Sequence, residues 1–331
     1  KAFQEYLLKQ DPRLVGSEAL GSVTEDCDAW PRHLERILAL QYIDVDLLRS
    51  SSFEVAVDCV HGAGGPFIKE LLDRLRCRVT SIGMKPDGHF PRDPEPTAAN
   101  LSDLAMLVQE SGAAIGLAID PDADRLSLVD EMGNPIGEDM TLALASATVL
   151  SKTPGPVVTN ASTSQVIDDV AHAYGSVVHR SPVGEVNVAR RMQHEVAVVG
   201  GEGNGGVILP ALQYTRDAPL AVGLVLQHLA EEGLTVSEAV ARWPSYKIVK
   251  EKLSFPRQAL IRGYGALEEG LDAESKDSAD GLRLAWPSLK TWVHVRPSGT
   301  EPVVRIIAEA PDEKRAKELV SLAAELLAGI A

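Results

Sequence analysis

Short apolar runs alternate with amphipathic stretches along the first part of the chain. The apolar run at 53–58 leads through a glycine-rich turn into a stretch with helical spacing at 67–75, and a second apolar run follows at 78–82. This order is typical of a β-α-β unit. The pattern continues with a predicted helix at 101–111 and predicted strands at 113–119 and 126–129.

The same alternation begins again at Glu138. Predicted helices run from Glu138 to Leu150, from Ser164 onward and over 185–191, and predicted strands lie at 156–159, 176–179 and 197–200. Helices that alternate with short apolar strands predict mostly parallel sheets that are covered on both faces.

After Trp243 the pattern changes to longer strands of antiparallel character with two helices between and after them. The predicted strands are 246–253, 281–285, 291–295 and 303–309, and the predicted helices are 258–269 and 313–328. We therefore predict an α/β fold class, with two similar α/β domains of mostly parallel sheets followed by a C-terminal α+β domain.

The domain boundaries are predicted at the changes in pattern. The domains are 25–137, 138–245 and 246–331. Residues 1–24 are interpreted as the remnant of an N-terminal domain and a linker, because the chain opens at Lys1 in an amphipathic pattern without an initiating methionine. Leucines and isoleucines at helical spacing predict a single helix over 28–48.

The charge and composition exclude several classes of partner. The 331 residues include 47 acidic and 32 basic side chains, and the net charge of −15 would repel nucleic acid. No run approaches the roughly 18 consecutive apolar residues of a membrane-spanning helix. Three cysteines are too few for a disulfide framework, which favours a reducing, cytoplasmic location. The oligomeric state is left open.

Three aspartates alternate in the segment Asp120–Arg125, here called the aspartate loop, which follows a predicted buried strand. Side chains at alternate positions of an extended backbone point to the same side, so Asp120, Asp122 and Asp124 would converge. A divalent cation would reverse their mutual repulsion, and all-oxygen ligands favour Mg²⁺. The alternative interpretation is a solvated acidic turn.

The segment Arg296–Pro302, here called the arginine loop, reads RPSGTEP. It combines a guanidinium, two hydroxyl groups and backbone N–H groups, which suits a phosphate dianion. Arg305 on the following strand could add a second cation. The alternative is a tight hairpin in which Ser298 and Thr300 satisfy the backbone of the turn.

The segment Gly200–Gly206, here called the glycine loop, reads GGEGNGG. A carboxylate and an amide among glycines offer the mixed donors and acceptors that sugar hydroxyls require. A loop of this kind is often only a turn. It does not match the dinucleotide-binding fingerprint.

Taken together and in this order, the three loops resemble the metal-binding, sugar-binding and phosphate-binding loops of the α-D-phosphohexomutase superfamily. The segments PDGHFPRDPEPTAANL and SPVGEVNVA are similar to further stretches of that family. The resemblance covers nearly the whole chain from about Thr24 onward. It implies an enzyme that interconverts 6- and 1-phosphosugars through a bisphosphorylated intermediate, with a hexose phosphate as its partner.

The resemblance also implies roles for individual residues. Asp120, Asp122 and Asp124 would bind Mg²⁺, and Arg125 would lie beside the phosphoryl group in transit. The implied substrate-binding residues are Val183 and Gly184 in the cleft, Glu202 and Asn204 at the sugar hydroxyls, and Arg296, Ser298, Gly299 and Thr300 at the phosphate that does not react. Phosphoryl transfer depends on such positioning and charge neutralisation.

Two departures from the family pattern bear on function. Many members end the sugar-binding loop with a histidine, whereas this chain has Gly206, so the general acid or base stays open. The family's phosphoserine lies in a Ser-His-Asn-Pro type motif that the printed sequence does not contain. We expect this chain to bind ligands without turnover, and we expect Ser162 and Ser164 to cap the following helix.

Several functions remain open at this point. The details of the sugar-binding loop and of 183–188 look most like phosphoglucosamine mutases of the archaeal type, with phosphomannomutase and phosphoglucomutase as alternatives. A dehalogenase-type phosphatase would use Asp120 as nucleophile and Asp122 as acid and base, but it leaves Asp124 and the arginine loop unexplained. A non-catalytic protein that binds sugar phosphates is the third alternative.

Overall fold

The computed structural model describes residues 16–298 and 303–330, which form three β-sheets, each built from one continuous stretch of the chain. The strands of the first sheet are β1 Glu54–Asp58, β2 Arg78–Ile82, β3 Ile115–Ile119 and β4 Leu126–Val129. Its strand order is β2-β1-β3-β4, with β1 parallel to both β2 and β3 and with β4 antiparallel to β3. The accompanying helices are α1 Ala29–Leu38, α2 Val45–Ser51, α3 Gly65–Arg74 and α4 Ser102–Ser111.

The second sheet repeats this topology. Its strands are β5 Val157–Asn160, β6 Val178–Ser181, β7 Val199–Glu202 and β8 Gly206–Ile208, in the order β6-β5-β7-β8. The pairs β5–β6 and β5–β7 are parallel, and β8 runs antiparallel to β7. The helices are α5 Asp139–Lys152, α6 Val166–Ala173, α7 Glu185–Glu195, α8 Ala218–Glu232 and α9 Val236–Ala241.

The third sheet is antiparallel throughout, in the order β10-β11-β12-β13-β9. Its strands are β9 Lys247–Ser254, β10 Ser275–Asp277, β11 Leu282–Trp286, β12 Thr291–Pro297 and β13 Val303–Ala310, and its helices are α10 Leu260–Leu271 and α11 Glu313–Ala328. Two parallel-rich sheets followed by an antiparallel sheet with helices confirm the predicted fold class.

The single helix predicted over 28–48 is wrong, because the chain forms α1 and α2 with a break between them. In the break, Tyr42 and Ile43 turn inward and are buried. Asp44 then begins α2, where its carboxylate accepts hydrogen bonds from the backbone N–H groups of Asp46 and Leu47 at 3.1 and 3.0 Å. A new N-terminal cap therefore starts a second helix.

Helix α8 was not predicted from the sequence. Its residues are apolar on nearly every side, and from Ala218 to Leu229 all of them are buried. A helix that is apolar all round lacks the polar face that gives an amphipathic signal. It packs against α5, which is buried along most of its length, and so joins the first two sheets.

The largest cluster of buried apolar side chains takes its residues from the range between Leu34 and Ala239 and is shared by the first two sheets. The third sheet has a separate cluster, which runs from Phe255 to Leu327. Within the described part of the chain, no helix is both long and apolar enough to cross a membrane.

We predict that Leu117→Ala lowers the free energy of unfolding by about 2 to 5 kcal/mol, because it removes a fully buried side chain from β3 and leaves a cavity. Urea unfolding followed by circular dichroism measures the change. The matched control is Leu322→Ala on α11, where the side chain is 43% exposed and a change within about 0.5 kcal/mol is expected. Equal losses in the two variants would contradict the prediction.

Candidate functional site

The aspartate loop folds around the buried carboxylate of Asp120, at the end of β3. One oxygen of Asp120, Oδ1, accepts the backbone N–H groups of Asp124 and Arg125 at 3.0 Å each, and the other, Oδ2, accepts Arg125 Nε at 2.7 Å. Ala123 adopts a left-handed conformation with φ of 59°, which tightens the turn. As a result, ligand atoms of Asp120, Asp122 and Asp124 lie within 4.8 Å of one another.

The two oxygens of Asp124 differ in their hydrogen bonds. Its Oδ2 accepts Arg216 Nη2 at 2.5 Å, whereas its buried Oδ1 has no hydrogen-bond partner among residues 16–298 and 303–330. Burial raises the pKa of Asp124 to about 6, and the negative charge of Asp120 adds to the shift. A buried, unpartnered carboxylate oxygen beside two further carboxylates is a donor set that fits a cation.

Arg125 lies directly against these carboxylates. Its Nε is 3.5 Å from Asp124 Oδ1, and its Nη1 is 3.8 Å from Glu95 Oε1. The side chain of Arg125 is 22% exposed, so part of it is open to solvent.

The glycine loop presents Glu202, a nearly fully buried carboxylate at the end of β7. Its Oε1 accepts Asn160 Nδ2 and the backbone N–H of Gly184, both at 2.9 Å, and its Oε2 accepts Arg216 Nη1 at 3.0 Å. Asn204, two residues on, accepts the backbone N–H of Gly206 at 3.2 Å through Oδ1. Because a carboxylate has about four lone-pair sites, Glu202 can still accept a hydroxyl group.

The aspartate and glycine loops touch each other. The backbone N–H of Leu126, directly after the aspartate loop, donates to Gly205 O at 3.0 Å. Gly205 has φ of 89°, and a Cβ at this position would lie 2.3 Å from Leu126 O. Only glycine permits this close approach of the two backbones.

Arg216 connects the two loops and was missed by the sequence analysis. Its guanidinium donates to Asp124 on one loop and to Glu202 on the other, and its backbone N–H donates to Glu185 Oε1 at 2.8 Å. It precedes α8, the helix that the sequence did not reveal. In the sequence it is a single arginine downstream of the glycine loop, and no spacing rule selects it.

The arginine loop is described only in part. Arg296 lies with its Nε 3.1 Å from Asp280 Oδ2. Ser298 is buried, its backbone N–H donates to Val303 O at 2.9 Å, and its carbonyl accepts Arg257 Nη2 at 3.0 Å.

Two of the predicted phosphate-binding residues, Gly299 and Thr300, lie outside the described residues. Arg305 is exposed on β13, and its register partner on β12 is Arg296. The two cations that the sequence analysis paired are therefore neighbours across two strands.

Asp280 joins the arginine loop to the second sheet. Its Oδ2 lies beside Arg296 and also accepts the backbone N–H of Val183 at 2.9 Å. The next residue, Gly184, has φ of 117° and donates to Glu202. The polar contacts thus run without a gap from Asp124 through Arg216 and Glu202 to 183–184, Asp280 and Arg296.

A second contact between these sheets involves Ser162. Its Oγ lies 2.9 Å from Nδ1 of His294, whose Nε2 is 2.5 Å from Asp280 O. The carbonyl can only accept, so His294 carries its proton on Nε2 and the Ser162 hydroxyl donates to Nδ1. Ser162 therefore contacts the third sheet rather than α6, whereas Ser164 Oγ accepts the first N–H of α6, that of Val166, at 3.2 Å.

Family models match three stretches of the chain. Residues 31–133 match "Phosphoglucomutase/phosphomannomutase, alpha/beta/alpha domain II", residues 137–246 match domain III of the same series, and residues 249–326 match its C-terminal domain.

Similar proteins carry related names. A probable phosphoglucosamine mutase of Methanopyrus kandleri is 39% identical over 95% of this chain and 69% of its own length. A phosphoglucomutase/phosphomannomutase of Thermococcus kodakarensis is 37% identical over 86% of this chain and 63% of its own length. The chain thus spans about two thirds of the length of these relatives.

Solved structures have the same fold. A phosphoglucomutase/phosphomannomutase family protein of Burkholderia thailandensis superposes with a TM-score of 0.80 at 24% identity, over 91% of this chain and 64% of its own. A phosphomannomutase, named as putative, from Thermus thermophilus superposes with a TM-score of 0.77 at 25% identity, over 94% of this chain and 68% of its own.

We predict that stability falls on acidification because of His294, and that His294→Gln reduces the fall. Burial holds the pKa of His294 below its ordinary value of 6.5. The folded state then binds fewer protons than the unfolded state below about pH 6.5, so its stability is complete above that pH and is lost as pH falls through the folded pKa. Each unit of pKa difference contributes about 1.4 kcal/mol.

Urea unfolding at about pH 7.5 and about pH 5.5 tests this. The comparison of wild type with His294→Gln removes the contribution of the other titrating groups, which are common to both proteins. The same acid-induced loss in both would show that His294 is not the cause.

Proposed function

The chain belongs to the phosphoglucomutase/phosphomannomutase family, and we propose that it forms the cation-, sugar- and phosphate-binding part of a mutase that moves a phosphoryl group between the 6- and 1-positions of a hexose phosphate. The observation that carries the proposal is the continuous line of polar contacts from Asp124 to Arg296. It connects three loops of different chemistry through one set of contacts, which supports a ligand with both a sugar ring and a phosphate.

The aspartate loop is proposed to hold Mg²⁺ through Asp120, Asp122 and Asp124. The oxygen donor set and the unpartnered Asp124 Oδ1 support a hard cation. When bound, the cation would neutralise charge on the phosphoryl group. Arg125, held in place by Asp120, would present its exposed part to the same group and stabilise the charge on its oxygens.

The other two loops are proposed to bind the substrate at its ends. Glu202 and Asn204 would accept and donate hydrogen bonds at the sugar hydroxyls, and the 183–184 backbone would line the same cleft. Arg296 and Ser298, with Gly299, Thr300 and Arg305, would bind the phosphate that does not react. A phosphate at this place would compete with Asp280 for Arg296.

The proposed sugar is glucosamine 6-phosphate. Near the glycine loop, the guanidinium of Arg216 lies against the carboxylates of Glu202 and Asp124 and its backbone N–H donates to Glu185, and this excess of carboxylates favours a substrate that carries an ammonium group. The relative from Methanopyrus kandleri bears the name of a probable phosphoglucosamine mutase. Transfer itself would use a phosphoserine, for which the printed sequence has no matching motif.

The phosphatase alternative is disfavoured by the contacts of Asp120. Both oxygens of Asp120 accept hydrogen bonds from its own loop and from Arg125, which fixes the carboxylate in place and lowers its nucleophilicity while lone pairs remain for a cation. Incubation with a hexose phosphate and an assay for free phosphate separates the two functions, because a mutase releases almost none.

We predict that, with Mg²⁺ present, this chain binds glucosamine 6-phosphate about tenfold more tightly than glucose 6-phosphate or mannose 6-phosphate, a difference of about 1.4 kcal/mol. The reason is the excess of carboxylates beside the glycine loop. Isothermal titration calorimetry of the 331-residue chain measures the affinities for the three hexose phosphates and so gives their order. If glucosamine 6-phosphate were the weakest ligand, the proposed sugar would be wrong.

We also predict that Arg296→Ala weakens the binding of glucosamine 6-phosphate by about 1.5 to 3 kcal/mol, the range for hydrogen bonds to charged groups. The same titration measures the loss. The control is Arg262→Ala, which removes an exposed arginine on α10 and should leave the affinity within about twofold. An unchanged affinity in Arg296→Ala would remove this residue from the site.

A further inference from the structure

The aliphatic part of the Arg216 side chain, here called its stem, fills the space next to Gly206 where another residue would have its Cβ. The backbone of Gly206 does not lie in the left-handed region, so its conformation is open to other residues. A Cβ at this position, however, would lie 2.2 Å from Cδ and 2.9 Å from Cγ of Arg216. The residue is therefore glycine because the stem of Arg216 crosses the space next to it.

The stem of Arg216 cannot easily move aside, because both of its ends are anchored. On the backbone side, Glu185 accepts the N–H of Arg216 and the hydroxyl of Thr215. The following residue, Asp217, caps α8 through the N–H of Leu220 at 2.8 Å. On the other side, the guanidinium is held by two carboxylates.

Those two carboxylates belong to different loops. Nη1 donates to Glu202 Oε2 at 3.0 Å, and Nη2 donates to Asp124 Oδ2 at 2.5 Å. The flat, rigid fork of a guanidinium fixes the directions of two acceptors at once, which the single point charge of a lysine cannot do. Asp124 is thereby held through one oxygen, while its other oxygen remains available to a cation.

We propose that Arg216 is a positioning residue that sets Asp124 and Glu202 relative to each other, and that Gly206 is required because it admits the stem of Arg216. The proposal predicts that a change at either position disturbs both the cation site and the sugar site. Neither side chain is among the proposed cation ligands.

The first arm of the test measures cation binding to the 331-residue chain, with Mn²⁺ as a probe detected by electron paramagnetic resonance. Arg216→Lys keeps the charge but loses the fork, and Gly206→Ala keeps the arginine but displaces its stem. Each should weaken Mn²⁺ binding by about tenfold or more, the effect expected when a partner that orients a metal ligand is lost.

Matched controls accompany these variants. Arg242→Lys changes a half-exposed arginine that pairs with Glu232, and Gly265→Ala adds a methyl group where nothing lies within 4 Å. Both should bind Mn²⁺ within about twofold of wild type. Urea unfolding of every variant checks that the fold is intact, and Arg216→Lys carries the test alone if Gly206→Ala does not fold.

The second arm measures the affinity of the metal-free chain for glucosamine 6-phosphate and rests on the proposed function. Arg216→Lys should weaken this affinity as well, by about tenfold, whereas the control Arg242→Lys should leave it within about twofold of wild type. A loss in both arms from one substitution is the signature of a residue that joins two loops.

The outcomes separate the two proposals. If wild type binds Mn²⁺ and glucosamine 6-phosphate and Arg216→Lys binds both equally well, the role of Arg216 is overturned and the proposed function stands. If Arg216→Lys loses affinity in only one arm, the joining role is likewise overturned. If wild type binds neither probe, the proposed function fails, and the inference fails with it.

Discussion

One guanidinium, that of Arg216, binds two carboxylates from different sheets, the partly buried Asp124 and the buried Glu202. Asp124 and Glu202 would repel each other strongly in a medium of low dielectric constant, and Arg216 compensates both charges at once. The relative placement of the aspartate and glycine loops therefore depends on this contact, together with the backbone hydrogen bond between Leu126 and Gly205.

The repeat of one sheet topology explains why these loops meet. The aspartate loop lies between β3 and β4, and the glycine loop lies between β7 and β8, so each connects an inner parallel strand to the antiparallel strand at the edge. Both loops leave the carboxyl end of a parallel strand, which is the usual place for ligands in α/β sheets. Helices α5 and α8 pack the two sheets together and bring those ends into contact.

The sequence was sufficient for the parts of the molecule that have a local signature. Most predicted strands agree with the structure to within about two residues, because their apolar runs end at glycine, proline or aspartate. The aspartate, glycine and arginine loops were recognisable because each gathers its functional groups within seven residues. Arg216, Asn160 and Asp280 were not recognisable, since Arg216 is 92 residues from Asp124 and Asp280 is 97 from Val183. Gly206 was seen only as a departure from a family pattern, and its cause became visible with the stem of Arg216 beside it.

The third sheet packs around its own apolar cluster, and this determines which contacts hold it to the other two sheets. The first two sheets share one core, so their loops are fixed by apolar packing over a wide area. The contacts that tie the third sheet to the second include the polar pairs Asp280–Val183, His294–Ser162, Arg283–Ala161, Lys290–Asp169 and Glu309–Gln165. Hydrogen bonds of this kind can be replaced by hydrogen bonds to water at a small net cost in free energy. A rotation of the C-terminal unit would therefore break polar pairs and leave the shared apolar core of the first two sheets intact, so it would change the distance between the arginine loop and the glycine loop without altering the spacing of Asp124 and Glu202.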